Sequence, residues 1–301
     1  MFLRKHPYLF FTLVLAALGA VSTVFIALMV MKVMVAVGAE GSFDDGDKVG
    51  VVEIVGAIVD SQTTIDQIKA FREDESIKAI VVRIDSPGGA VGPSQEIYRE
   101  IRKTLAEKKV IASMGSVAAS GGYYVAAAGD GIVANPGTIT GSIGVIMGYT
   151  NFEALMQKIG LTPVVIKSGE YKDIGSPARP MTVKEKTLLE GVTRSIHQQF
   201  VGAIAEGRHM AHDQVAAIAD GRIFTGEDAQ KLGLVDRLGN FQDAVQWAGE
   251  LGGIEGEVKT AFPKEERLSF IEYLMESALR LWSNGRLRSR LIPEARLAPG
   301  F

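Results

Sequence analysis

Ser120 stands in VAASGGYYVAAAGD, residues 117–130, between two alanines and two glycines and ahead of an alanine-rich apolar run. Small neighbours let another backbone or an acyl group come close to such a hydroxyl. Serine is nevertheless a weak nucleophile until a base takes its proton and donors stabilise the oxyanion. The chain has no cysteine and four histidines, which excludes thiol nucleophiles and thiolate metal sites. His197, His209 and His212 fall in polar, helical surroundings, His6 precedes the apolar N-terminal segment, and there is no G-x-S-x-G elbow. Lysine is the remaining base, because burial can strip its proton, with shifts of up to ~5 pKa units for buried lysines.

Lys172 is the candidate, in a Gly- and Pro-containing loop, KSGEYKDIGSP, that follows the strand-like run TPVVIK. Loops at strand ends are where α/β folds place their sites. The alternative at this position is an ordinary exposed lysine paired with Asp173. A second stretch, IDSPGGAVG at 84–92, closes an apolar run with a Pro-Gly-Gly turn. Its backbone N–H groups could point at an anion, or it could be simply a tight strand-to-helix connection.

The elements that must position these residues read as α/β. VGVVEIVGAIV, IKAIVVRID and VIASM are short continuous apolar runs, and they alternate with the amphipathic segments TTIDQIKAFRED and PSQEIYREIRKTLAEK. That alternation predicts βαβ units and a mainly parallel sheet covered on both faces. Beyond Asn151 come a helix, FEALMQKIG, a strand, TPVVIK, and one long helix over residues 181–208, with Thr182 as its cap and Glu185 three positions on. Lys264 to Trp282 carries an apolar stripe at helical spacing, and an Arg-rich tail follows.

A net charge of −3 and the lack of a long basic run argue against nucleic acid as a partner. Tyr8 to Met31 is 24 residues without a charge, long enough to span a bilayer and too long for the apolar region of a cleaved signal peptide. Arg4 and Lys5 precede it, so the short tail is expected in the cytoplasm and the bulk of the chain outside. The acidic stretch GAEGSFDDGDK then reads as a tether.

Five motifs, VVRIDSPGGAV, SVAASGGYYVA, TGSIGVI, KSGEYKDIGSP and GRIFTGEDAQKLGLVDRLG, occur in an order and spacing that resembles the short bacterial signal peptide peptidases of the S49 serine peptidase family, from about Val49 to Leu251. The resemblance implies a ClpP/crotonase-like α/β fold and a Ser/Lys dyad, with Ser120 as nucleophile and Lys172 as general base. It further implies that Ser142 hydrogen-bonds the lysine amine and that the N–H groups of Gly89 and Gly121 form the oxyanion hole. No metal and no other cofactor is implied. Hydrophobic peptides, such as cleaved signal peptides, are the implied substrates, and the implied assembly is a homo-oligomeric ring whose sites are shared between subunits.

The expected organisation is a tail and membrane anchor at 1–32, a linker at 33–48, a peptidase domain at 49–263 and an amphipathic helix with its tail at 264–301. The inner membrane, with the catalytic domain on its extracytoplasmic side, is the expected location. Two competing readings are a crotonase-like acyl-CoA enzyme and a non-catalytic membrane scaffold. The first conflicts with the anchor and an extracytoplasmic site, the second with the intact Ser120 and Lys172. The stripe at Lys264 to Trp282 has three expected fates, packing on a neighbouring subunit, which is the default, lying on an anionic membrane surface, or leading the C-terminal segment RLIPEARLAPGF into the peptide site to be trimmed there.

Overall fold

The computed structural model describes residues 7–39 and 46–263, so the expected C-terminal helix and tail at 264–301 lie outside the described residues. The chain divides into two units at Gly46 and Asp47. The first holds helix α1, Pro7–Ala39, which contains the apolar span Phe11–Met29 and continues beyond residue 32, where the anchor was expected to end. Within it Thr23 Oγ1 donates to the Gly19 carbonyl at 2.8 Å, so the hydroxyl is satisfied inside the helix itself.

The second unit is built on one sheet. Strands β1 (Lys48–Val55), β2 (Ile77–Ser86) and β3 (Lys109–Ala119) lie parallel side by side, joined by helices α2 (Gln62–Glu73) and α3 (Val91–Thr104). Alternate residues of the apolar runs face opposite sides, as the pleat requires. Ile80, Val82 and Ile84 of β2, with Val110, Ala112 and Met114 of β3, pack against Ile68 and Phe71 of α2 and Ile97 and Ile101 of α3. On the other side Ala79, Val81 and Ile111 meet Ala244, Val245 and Ala248 of a later helix, Phe241–Leu251. Both faces are therefore covered, which is why these strands read as unbroken Val/Ile runs.

β3 is long enough to serve two neighbours. Its first half pairs with β4 (Gly131–Ala134) and its second half with β5 (Ile139–Gly141), both parallel. Three short strands, β6 (Ile223–Thr225), β7 (Arg237–Leu238) and β8 (Lys259–Ala261), complete the sheet, β6 antiparallel to β5. A bulge interrupts the β2–β3 pairing: Ile84 faces Met114 but Ser86 faces Ala118, two steps on one strand against four on the other. Asp85 fills the bulge, accepting from the Val117 amide at 3.1 Å, and a Cβ on Gly115 would lie 2.8 Å from its carboxyl carbon.

Helix α4, Gly121–Ala126, follows β3 without a loop, and α5, Glu153–Lys158, covers the expected FEALMQKIG segment. The expected long helix is α6, Val183–Gly207, with a reciprocal cap: Glu185 N–H donates to Thr182 Oγ1 at 3.2 Å and Thr182 N–H to Glu185 Oε2 at 2.8 Å. The strand expected over TPVVIK does not form. Residues 162–167 are irregular and carry Val164 and Ile166 almost wholly exposed, and no strand among the described residues pairs with them.

Candidate active site

Ser120 links the end of β3 to the first residue of α4, so the chain turns from strand to helix within one residue. Its φ of 53° and ψ of −119° are the result. Such a conformation suits glycine and costs a residue with a Cβ about 1–3 kcal/mol. Two hydrogen bonds hold the turn: the Ser120 amide donates to the Gly141 carbonyl at 2.8 Å, and its carbonyl accepts from the Tyr124 amide at 2.9 Å. The G-x-S-x-G sequence is absent, yet the backbone makes the strand-to-helix elbow that lifts a hydroxyl clear of a sheet.

The Pro87–Gly89 turn at the end of β2 lies against this elbow. Ser86 Oγ accepts from the Gly88 amide at 3.1 Å, and Ile58 brackets Gly89, donating to the Gly88 carbonyl at 2.9 Å and accepting from Ala90 at 2.7 Å. A Cβ on Gly89 would sit 2.1 Å from the Ile58 carbonyl oxygen, and one on Gly88, whose φ is 98°, would sit 2.6 Å from the Gly121 amide nitrogen. Only glycine allows these backbones to touch. The Gly89 and Gly121 N–H groups have no protein acceptor among the described residues, which leaves two donors to serve an anion.

Ser142 follows Gly141 as Ser120 follows Ala119, and Ala119 and Gly141 are partners in the β3–β5 register. The two serines therefore stand at the carboxyl ends of adjacent parallel strands, where open α/β sheets place ligands. Both have positive φ, 50° at Ser142. Gly89, Ser120, Gly121 and Ser142 line one cavity of about 550 Å³, whose other walls include Val91, Tyr124, Val145, Ile146, Ile196 and Phe200. Asp220 is the one charged residue in its lining among the described residues, and hydrogen bonds from Arg222 hold that carboxyl down at about 2.

Lys172 is not brought to this cavity by its own chain. It is exposed in the irregular stretch between α5 and α6 and lines neither this cavity nor the adjoining one of about 880 Å³. It is not paired with Asp173 either, because that carboxylate is taken by Lys167 at 2.6 Å and Arg179 at 2.8 Å. His197 lines the larger cavity, where Nε2 meets the Ala219 carbonyl at 2.7 Å, and is absent from the lining around Ser120. Sequence reasoning missed Ile58 and Asp85, which fix the glycine turn and the β3 bulge. Asp85 lay inside the quoted IDSPGG motif, whereas nothing local marks Ile58.

The Peptidase family S49 model matches residues 102–255, and the Clp protease model matches residues 48–136. A provisionally named protease of Synechocystis sp. is 47% identical over 210 residues, which cover 69% of this chain and 76% of that one. The chloroplastic serine protease SPPA of Arabidopsis thaliana is 38% identical over 206 residues, 68% of this chain and 30% of its own length. Protease 4 of Salmonella typhi is 36% identical over 222 residues, 70% and 36% of the two chains.

Proposed function

The chain belongs to peptidase family S49, and on that premise we propose that it is a membrane-anchored serine endopeptidase with a Ser120/Lys172 dyad that degrades hydrophobic peptides such as cleaved signal peptides. The observation that carries this reading is the elbow at Ser120 beside two unengaged N–H donors in a cavity with apolar walls. Ser120 Oγ attacks the scissile carbonyl while the neutral Lys172 amine takes its proton. The oxyanion that forms is met by the Gly89 and Gly121 N–H groups. Collapse breaks the C–N bond, and the leaving amine takes the proton from the Lys172 ammonium. Water, deprotonated by the same lysine, then attacks the acyl carbon, the ester bond to Ser120 Oγ breaks, and the lysine ammonium returns the proton to that oxygen. Ser142 orients the amine by accepting a hydrogen bond from it.

A lysine exposed in its own chain and absent from the cavity supports a site completed by a neighbouring subunit of a ring. Helix α1 supports an inner-membrane anchor with the domain at 49–263 on the extracytoplasmic side. The test is hydrolysis of a signal peptide by the full chain in detergent micelles. Activity in the wild type and its loss in both Ser120→Ala and Lys172→Ala is expected. An active Lys172→Ala protein removes the dyad.

A further inference from the structure

The loop that carries Lys172 has no strand or helix between residues 159 and 182, yet it is not loosely held. Irregular stretches of this length in compact domains are uncommon and usually serve a function. Short turns run from 171 to 176, where Ile174 N–H reaches the Tyr171 carbonyl at 3.1 Å and Ser176 N–H the Asp173 carbonyl at 3.0 Å. Gly175, at φ 76°, lies so close under the Tyr149 ring that a Cβ would be 2.3 Å from it. Phe152 N–H bonds the Pro177 carbonyl at 2.7 Å.

The centre of this arrangement is one guanidinium. Arg179 Nε and Nη2 fork onto the two Asp173 carboxylate oxygens at 2.8 and 2.9 Å, while Nη1 reaches Glu185 Oε2 at 3.0 Å. Glu185 is buried and is also the reciprocal cap of α6, so Arg179 ties the residue next to Lys172 to the rigid start of a 25-residue helix. Forked pairs of this kind fix orientation as well as charge. Hydrogen bonds from Arg179 and then Lys167 hold Asp173 well below the usual carboxylate range, and those from Arg179 and the Thr182 backbone hold Glu185 at about 2, so both are ionised at neutral pH.

We propose that Arg179, clasped between Asp173 and Glu185, is a positioning residue for Lys172, fixing the 171–176 turn before a neighbouring site is met and balancing the charge of Asp173, the next residue in the chain. This rests on the reading of Lys172 as the base. The charged groups on the loop that carries Lys172 are Lys167, Glu170, Asp173 and Arg179, with Lys184 and Glu185 of α6 tied to them, and Asp220, already paired to Arg222, lies in the cavity the lysine would complete. Asp173 and Glu185 are matched by Arg179 and Lys167, and Glu170 by Lys184 at 3.8 Å.

The experiment is the pH profile of kcat/KM for the full chain in detergent, with KM and kcat measured separately. Asp173→Asn removes a negative charge and should lower the midpoint of the acid limb. Arg179→Met removes a positive charge and should raise it, each by about half to one pH unit. Both should lose about tenfold or more in kcat with KM within about threefold, since misplacement of a reacting group by ~1 Å can cost ~100-fold. Arg179→Lys keeps the charge and loses the fork, so its midpoint should stay while kcat falls. Lys172→Ala, run beside them, separates the two ideas. Retained activity there removes the base and this proposal with it. Inactive Lys172→Ala together with unmoved midpoints and kcat within about twofold in the other variants overturns the positioning role alone. Should Arg179→Met fail to fold by thermal melting, Asp173→Asn and Arg179→Lys decide on the same criteria.

Discussion

Replacing Ser120 by alanine and by glycine separates two effects that a single nucleophile knockout confounds. Both variants lack the hydroxyl and should be inactive. Alanine keeps the Cβ and so keeps the conformational cost of φ 53°, ψ −119°, whereas glycine relieves it. The relief is worth about 1–3 kcal/mol, and glycine gives back about 0.5–1 kcal/mol through the greater freedom of its unfolded chain. The difference should leave Ser120→Gly more stable than Ser120→Ala by roughly 1 kcal/mol. For a folded unit of this size that is about 2–4 °C in Tm. Thermal unfolding of the two full-length proteins in the same detergent, followed by circular dichroism, reads the difference directly. A Ser120→Gly protein that melts at or below Ser120→Ala would refute the claim that the elbow holds Ser120 under strain.

If the dyad is shared between subunits, mixing inactive Ser120→Ala and Lys172→Ala proteins should restore activity through hybrid sites, measured as peptide hydrolysis after verified subunit exchange; no recovery counts against sharing. Gly89→Ala should lower kcat by about 100-fold or more, because the new Cβ would lie 2.1 Å from the Ile58 carbonyl and must push a proposed oxyanion donor out of place; full activity would show that the Gly89 N–H is not used. Acid should loosen the lysine loop. The Glu185 carboxyl is depressed from about 4.5 to about 2, so its stabilisation is complete above the first value and lost as pH falls through the second, and Glu185→Gln should flatten the fall in Tm across that window.

Ser120 and the Pro87–Gly89 turn could be picked out in the sequence because their demands are local, whereas Ser142 was named only through the family resemblance. A serine flanked by alanine and glycine, and a Pro-Gly-Gly turn closing an apolar run, carry backbone information within a few residues. The buried runs of β1 to β3 and the Thr182/Glu185 cap were legible for the same reason. TPVVIK was misread because an apolar, β-branched run announces a preference for strand pairing without saying where the partner strand is, and none among the described residues pairs with it. Strands of two to four residues such as β7 and β5 are too short to show any period. The ties that bind Asp173 to Lys167 and, through Arg179, to Glu185 depend on how an irregular loop folds back on itself, and the charges alone suggested a simpler pair with Lys172.

The bulge filled by Asp85 is a vernier. Two extra residues of β3 are taken up in the bulge, which sets its end back by ~6.6 Å relative to β2, at ~3.3 Å per residue in a parallel strand. That setback brings Ser120, rather than Ala118, level with the Gly88–Gly89 turn. Because the insertion is even in number, alternation across the pleat is conserved through it, and Met114 and Ala118 belong to the same core cluster on either side. A single inserted residue would have turned the end of the strand inside out. The chain thus adjusts reach without altering parity, and the two ends of the site can be brought into line while the core beneath them is left undisturbed.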